Sequence, residues 1–228
     1  MQSKHPAASQ FSLVVIDDET LVREGLESLF GALPAATMLA TGHDHATVLE
    51  VLPPPGRAVG RIVAVVDVGA GGIGLPEVVR LWSSQRPDAR LVLVDEWVRD
   101  YHVRQAVKLR VSYVTKRDRF SDVADVIHRA ADGVQSFSTE ARKRVMDGPH
   151  GWELRPHKGP PGLHFLTPRE TEILMHLAEG LSVRQCSEHL KISLSTVDNH
   201  KARIMKKLGF HKLIELVRFA MREGLVSR

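Results

Sequence analysis

Through the first 130 residues, short apolar runs alternate with stretches of helical spacing. FSLVVI (Phe11–Ile16) stops at Asp17-Asp18, IVAVV (Ile62–Val66) stops at Asp67, LVLV (Leu91–Val94) stops at Asp95, and Val111–Val114 stops shortly before Lys116. A short apolar run flanked by polar residues predicts a strand buried on both faces of a parallel sheet. A weaker strand is expected over Ala36–Ala40. Between the strands, helices are predicted over Thr20–Phe30 (apolar at Leu21, Leu26, Leu29 and Phe30), His45–Leu52, Leu75–Ser84, Val98–Leu109 and Ser121–Asp132. Five strands alternating with five helices predict a doubly wound α/β fold of the flavodoxin-like kind, with a five-stranded parallel sheet.

The last third shows helical spacing only. Thr167 caps a helix with Pro168 at its first position, and Glu170, three residues after the cap, completes a capping box. Ile173, Leu174, Leu177 and Ala178 form its apolar stripe, and Gly180 ends it. Ser182 caps a second helix running to Leu190, and Lys191-Ile192-Ser193 makes a turn. A third helix follows, capped by Ser193 or Ser195, with Val197, Ile204 and Leu208 on its inner side. Its outer side carries Asp198, Asn199, Lys201, Ala202 and Lys206. A fourth helix spans Leu213–Arg222, with Leu213, Leu216, Val217 and Ala220 on a face that closes the core or pairs with a second subunit. This predicts a small all-α helix-turn-helix domain. An outer face bearing cations and an amide is what a helix entering the DNA major groove requires, although most polar helix faces are merely solvated.

Charge separates these two readings. From Leu163 onward there are eleven Lys or Arg against seven Asp or Glu, so the segment carries the whole chain's formal +4 and the rest is neutral. The excess lies beside the suspected reading helix. The single cysteine, Cys186, excludes an internal disulfide and fits a reducing compartment; on the second of these helices it reads as a buried, inert thiol. No apolar run is long enough to span a bilayer, and MQSKHPAASQ lacks the apolar core of a signal peptide, so a cytoplasmic, soluble protein is expected, with no membrane partner.

Length favours two domains. The expected boundaries are 1–133, a linker over 134–164 and 165–228. The linker has one short helix at Thr139–Met146, then a Pro- and Gly-rich stretch, PHGWELRPHKGPPGLHF, expected to be irregular. His150, His157 and His164 are spaced too widely for zinc and read as solvated, and Trp152 packs on one domain or the other.

In a doubly wound sheet, ligands bind beyond the carboxyl ends of the strands, where Asp17, Asp18, Asp67, Asp95 and Lys116 fall. A single strand-end aspartate is usually a turn residue. Four acids and a lysine at the strand ends of one sheet suit an oxygen-liganded Mg2+ beside an aspartate nucleophile. A competing pattern is Gly69-Ala70-Gly71-Gly72-Ile73-Gly74, a G-x-G-x-x-G after a strand and before a helix, with Asp95 placed as the ribose-binding acid of a dinucleotide enzyme. Against it, Asp67 would face the pyrophosphate, and Asp17, Asp18 and Lys116 would be idle.

VVIDDETLVREGLESLF, Asp67 and YVTK resemble a response-regulator receiver. The resemblance implies Asp67 as phospho-acceptor, Asp17 and Asp18 with Asp67 as Mg2+ ligands, Lys116 as phosphoryl contact and Tyr113 as the aromatic switch. The chain departs from that family at Asp95-Glu96, where a Thr or Ser followed by a small residue is usual, and in the loop VGAGGIG. A carboxylate at Asp95 cannot donate a hydrogen bond when ionised and repels phosphoryl oxygens, by about 4 kcal/mol at ~4 Å and an effective dielectric near 20. A weakened or rewired phosphorylation response is expected. LTPRETEILMHLAEGLSVRQCSEHLKISLSTVDNHKARIMKKLG is similar throughout to the LuxR-type (NarL/FixJ) DNA-binding domain. This implies Asp198, Asn199 and Ala202 toward bases, and Thr196, His200, Lys201, Arg203 and Lys206 toward phosphates. Together the resemblances imply a two-component transcription regulator, not an enzyme. Double-stranded DNA, a sensor histidine kinase, a second copy in a homodimer and RNA polymerase are its implied partners. An alternative keeps the DNA binding and makes the receiver a phosphorylation-independent interaction or dimerisation module.

Overall fold

The computed structural model describes residues 10–33, 35–57, 60–149, 151–155 and 162–226. These divide into two compact units, the first holding the residues up to Val98 and from His102 to Arg155, the second Arg99–Tyr101 and, among the described residues, Gly162 onward.

The first unit is an α/β sandwich around a five-stranded parallel sheet. Its strands are β1 (Phe11–Ile16), β2 (Ala36–Gly42), β3 (Arg61–Asp67), β4 (Ala89–Asp95) and β5 (Ser112–Thr115), in the order β2-β1-β3-β4-β5. Helices α1 (Thr20–Gly31), α2 (His45–Val51), α3 (Leu75–Gln85), α4 (Asp100–Leu109) and α5 (Phe120–Ala131) alternate with them. Strand alternation sends neighbouring side chains to opposite layers. Leu13 and Val15 enter a core with Phe30 of α1 and Val126, Ile127 and Ala130 of α5. Val14 and Ile16 enter the other, with Val48 of α2, Val78 and Trp82 of α3 and Val103 of α4. Burial of the central strands on both faces explains why they read as continuous apolar runs.

The register of β1 on β3 pairs Ile16 with Val66, so Asp17 and Asp67 leave the sheet side by side. Strand order reverses between β1 and β3, and the crevice at their carboxyl ends is where ligands of such sheets bind.

Two expectations are corrected here. Leu21 and Leu29 of α1 do not enter the core; Leu21 is 84% exposed, and Phe30, with partly buried Leu26, anchors the helix instead. The segment after α5 is more ordered than its composition implied. It adds a parallel bridge from Phe137 to Tyr113, a helical turn α6 (Thr139–Arg142), and an antiparallel hairpin of β6 (Val145–Gly148) and β7 (Gly151–Leu154). The Tyr113 amide donates to the Ser136 carbonyl, and the Ser138 amide donates to the Tyr113 carbonyl. Phe137, Ala141 and Val145 are buried in the α2–α4 core, and the Trp152 indole N–H donates to the Gln135 carbonyl. Trp152 therefore belongs to the first unit. His150 and His157, and the side chain of His164, lie outside the described residues.

The second unit holds α7 (Pro168–Ala178), α8 (Val183–Leu190), α9 (Leu194–Leu208) and α10 (Leu213–Glu223) around one core. Capping boxes Thr167/Glu170 and Ser182/Gln185 start α7 and α8, and Ser193 accepts the Thr196 amide at the start of α9. In α10 the buried residues are Leu216, Phe219 and Ala220, whereas Leu213, placed on the inner face by spacing, is exposed beside Ile214.

Candidate functional site

Burial first decides the chemistry at the sheet's carboxyl end. Asp17 and Asp67 are buried, and between them lies the Lys116 ammonium, 3.0 Å from Asp17 Oδ2, 3.0 Å from Asp67 Oδ2 and 3.0 Å from Glu19 Oε2. The second oxygen of each aspartate accepts a backbone amide two residues on: Asp17 Oδ1 from Glu19 at 2.9 Å, Asp67 Oδ1 from Gly69 at 2.7 Å. Arg23 donates to the Asp17 carbonyl at 2.7 Å and holds the β1–α1 turn. Burial pushes both carboxyls above the usual aspartate range, against the pull of Lys116 and of the Glu19 or Gly69 amide. Burial works to lower the Lys116 ammonium, but its contacts with Asp17, Asp67 and Glu19 outweigh it and raise the net value.

Asp18 is exposed and lies outside this cluster. Asp17 and Asp67 offer the oxygen donors a hard cation prefers, but no three His, Cys, Asp or Glu side chains are gathered for a metal ion among the described residues. Glu19 and Arg23 were not singled out from the sequence; adjacency to the acidic pair was the only signal for Glu19.

Asp95 ends β4, 0% exposed. Its Oδ2 accepts the Tyr113 hydroxyl at 2.7 Å and lies 2.6 Å from His102 Nδ1 on α4. The Tyr113 hydroxyl is also 2.9 Å from the Trp97 carbonyl. On the rim, the Arg117 guanidinium stands 3.1 Å above the Trp97 ring and 3.7 Å from Glu96. Thr115, the hydroxyl residue beside Lys116, donates both its amide and its Oγ1 to Asp118. His102 carried no sequence signal.

The dinucleotide reading does not survive this geometry. Ala70–Gly72 form a single 3-10 turn, the first glycine amide is held by Asp67, and Asp95 is sealed against Tyr113 rather than open to a ribose.

In the second unit, Val197, Ile204 and Leu208 face inward on α9. Asp198, Asn199, Ala202, Arg203 and Lys206 are exposed, and Thr196, His200 and Lys201 are half-buried. Asp198, Asn199, Lys201, Arg203 and Lys206 form no side-chain hydrogen bond or ion pair among the described residues. Thr196 Oγ1 is instead 2.7 Å from Ser193 Oγ within the cap, and His200 Nδ1 is buried with no hydrogen-bond partner among the described residues. Lys207 behaves differently from its neighbours, meeting buried Glu170 at 2.7 Å. Burial pushes the Glu170 carboxyl up, but Lys207 and the Thr167 cap outweigh it and hold it below the usual range. Lys191 at the α8–α9 turn adopts a left-handed conformation, φ 53°, which sets the angle between the two helices.

A model of the bacterial regulatory proteins of the luxR family matches residues 164–220. Residues 164–220 belong to that family. The luxR-family domain thus covers all of α7, α8 and α9 and most of α10. Over nearly the whole chain, similarity extends to the transcriptional regulatory protein MctR of Rhizobium johnstonii (26% identity, 95% of each chain). It extends also to the transcriptional regulatory protein LiaR of Bacillus subtilis (25% identity, 94% of this chain and 99% of LiaR). Among solved structures, the chain is similar to the Salmonella typhimurium RcsB response regulator, with a TM-score of 0.60 at 16% identity over 94% of this chain and 98% of that one. Another such structure, of two RcsB dimers bound to two parallel DNAs, has the same TM-score, 0.60, at 16% identity over 94% and 99%. At that identity the likeness establishes a shared fold: a five-stranded α/β domain followed by the luxR-family domain.

Proposed function

We infer that this protein is a cytoplasmic transcription regulator of the two-component type, in which the α/β unit is a receiver and α9 reads promoter DNA as part of a dimer. One observation carries the DNA reading. The outer face of α9 presents an acid, an amide and three cations that the fold does not use, while the inner face is fully committed to the core. In this reading Asn199 pairs with an adenine, Asp198 accepts from a cytosine amino group, and Ala202 packs against base edges. Lys201, Arg203 and Lys206 neutralise phosphates. Thr196 and His200 lie beside them at the backbone. Dimerisation places two such helices on paired half-sites, and RNA polymerase is the downstream partner.

In the receiver, Asp67 is the nucleophile toward a phosphoryl group delivered by a sensor histidine kinase, and Lys116 pairs with the phosphoryl oxygens. Asp17 and Asp67 would supply the oxygen ligands to Mg2+, with exposed Asp18 outside their cluster, and the ion would offset the charge repulsion between carboxylate and phosphoryl group. A second reading is favoured by the sealed Asp95: the receiver serves as an interaction or dimerisation module without phosphorylation.

The test is selection of bound sequences from random duplex DNA, with and without Mg2+ and acetyl phosphate. One recovered motif is expected. Asn199→Ala loses about 1–3 kcal/mol at a single base pair of it. Lys201→Ala weakens binding to every sequence and lowers the salt slope by about one. Uniform losses from Asn199→Ala would remove the base-reading role.

A further inference from the structure

We propose that Asp95, His102 and Tyr113 form a built-in clasp that holds the end of β4, the start of α4 and β5 in one arrangement irrespective of the chemical state of Asp67. Two polar groups converge on one buried oxygen: Asp95 Oδ2 accepts the Tyr113 hydroxyl at 2.7 Å and lies 2.6 Å from His102 Nδ1. A carboxylate this deeply buried is costly unless donors satisfy it, so any movement that withdraws Tyr113 or His102 is opposed. The Tyr113 hydroxyl has one hydrogen and already faces two acceptors, Asp95 Oδ2 and the Trp97 carbonyl. No second proton remains on it to be recruited elsewhere.

The Asp67 cluster is organised around a different cation. Lys116 Nζ lies 3.0 Å from each of Asp17, Glu19 and Asp67. An ionised Asp95 has no hydrogen to offer a phosphoryl group arriving at Asp67, and Thr115 Oγ1 is committed to Asp118. The clasp also reaches the segment after α5. Tyr113 is bonded through its amide to Ser136 and through its carbonyl to Ser138, so the same residue ties the β4–α4 loop to the segment around Phe137. His102 is thus a positioning residue acting through Asp95.

The clasp rests on the receiver reading only in naming Asp67 as the group to be modified. Amide hydrogen exchange of the full chain over residues 96–106 tests it. Tyr113→Phe removes one oxygen and leaves the ring; it is expected to speed exchange there about tenfold. Asp95→Ala is expected to do the same, and the double variant to add nothing further. Exchange within twofold of the parent in Tyr113→Phe, or additive effects in the double variant, would overturn the clasp. Should Asp95→Ala fail to fold, Tyr113→Phe alone decides. Mg2+ with acetyl phosphate is expected to leave exchange over 96–106 unchanged in the parent chain, with intact mass reporting whether Asp67 is modified. Unchanged exchange in the mass-shifted chain supports the clasp, whereas absence of the added phosphoryl mass counts against the phospho-acceptor reading alone and leaves the Tyr113→Phe exchange rate to decide the clasp. A tenfold change on phosphorylation overturns the independence and leaves the receiver reading standing.

Discussion

At the scale of single residues, two buried groups decide behaviours that the surface charges do not. His45, at the start of α2, is buried, and its Nδ1 accepts the Trp82 indole N–H at 3.2 Å. Protonation would set two donors against each other. Burial pushes its pKa below the ordinary value, opposed by the Ala70 backbone and the Asp44 charge. The folded state therefore binds this proton less readily than the unfolded chain. The stability His45 contributes is present above about pH 6.5 and is lost as pH falls from there through the depressed folded value. His45→Asn, which keeps an acceptor without titrating, is expected to flatten the fall in unfolding free energy below pH 6.5. The difference is at most about 1.4 kcal/mol per pH unit, one proton's worth. Identical pH slopes in parent and variant would remove His45 from this role. The second group is the Lys207–Glu170 pair. Lys207→Met strands a buried carboxylate and is expected to cost about 1–3 kcal/mol of stability, discounted because the lysine is partly exposed. Lys206→Met, on an unpaired exposed side chain, is expected to leave the melting temperature unchanged and to lower the salt slope of DNA binding instead.

At the scale of elements, legibility followed the strength of periodicity. β1 was expected over Phe11–Ile16 and is found there, and β3, β4 and α1 to α5 fall within a few residues of their expected bounds, because central parallel strands and amphipathic helices imprint apolar runs and helical spacing on the sequence. Capping chemistry was equally readable: Thr167, Ser182 and Glu170 cap as the sequence indicates. The hairpin after α5 was not readable. Its strands are four residues each, joined through a glycine-bearing turn, and its composition matches that of a loop. What orders it is tertiary: Phe137 and Val145 enter a core built by residues far away in the chain. The acidic pocket was visible as strand-end acids and a lysine, whereas the Asp95–His102 contact depends on how α4 lies on the sheet, which no local pattern encodes. The hairpin segment should thus be integral to the first unit. Phe137→Ala is expected to cost about 3–5 kcal/mol in denaturant unfolding of that unit. A cost below 1 kcal/mol would make the segment an ornament of the sheet.

At the scale of the whole molecule, the chain carries three apolar clusters, one on each face of the sheet and one in the second unit, with net positive charge confined to the second unit. A unit with its own core folds alone, and nucleic-acid affinity follows the cations that neutralise phosphates. Division of the chain between Arg155 and Gly162 is therefore expected to yield two folded pieces with separate cooperative unfolding transitions. The carboxyl-terminal piece should bind duplex DNA with a salt slope close to that of the full chain, because Lys201, Arg203 and Lys206 all lie on α9. The amino-terminal piece, in which acidic and basic residues balance, should show no salt-dependent DNA binding. If the carboxyl-terminal piece folds, as judged by its far-ultraviolet circular dichroism, yet ignores duplex DNA at low ionic strength, the unpaired cations of α9 serve solubility, and the proposed regulator loses its reading head.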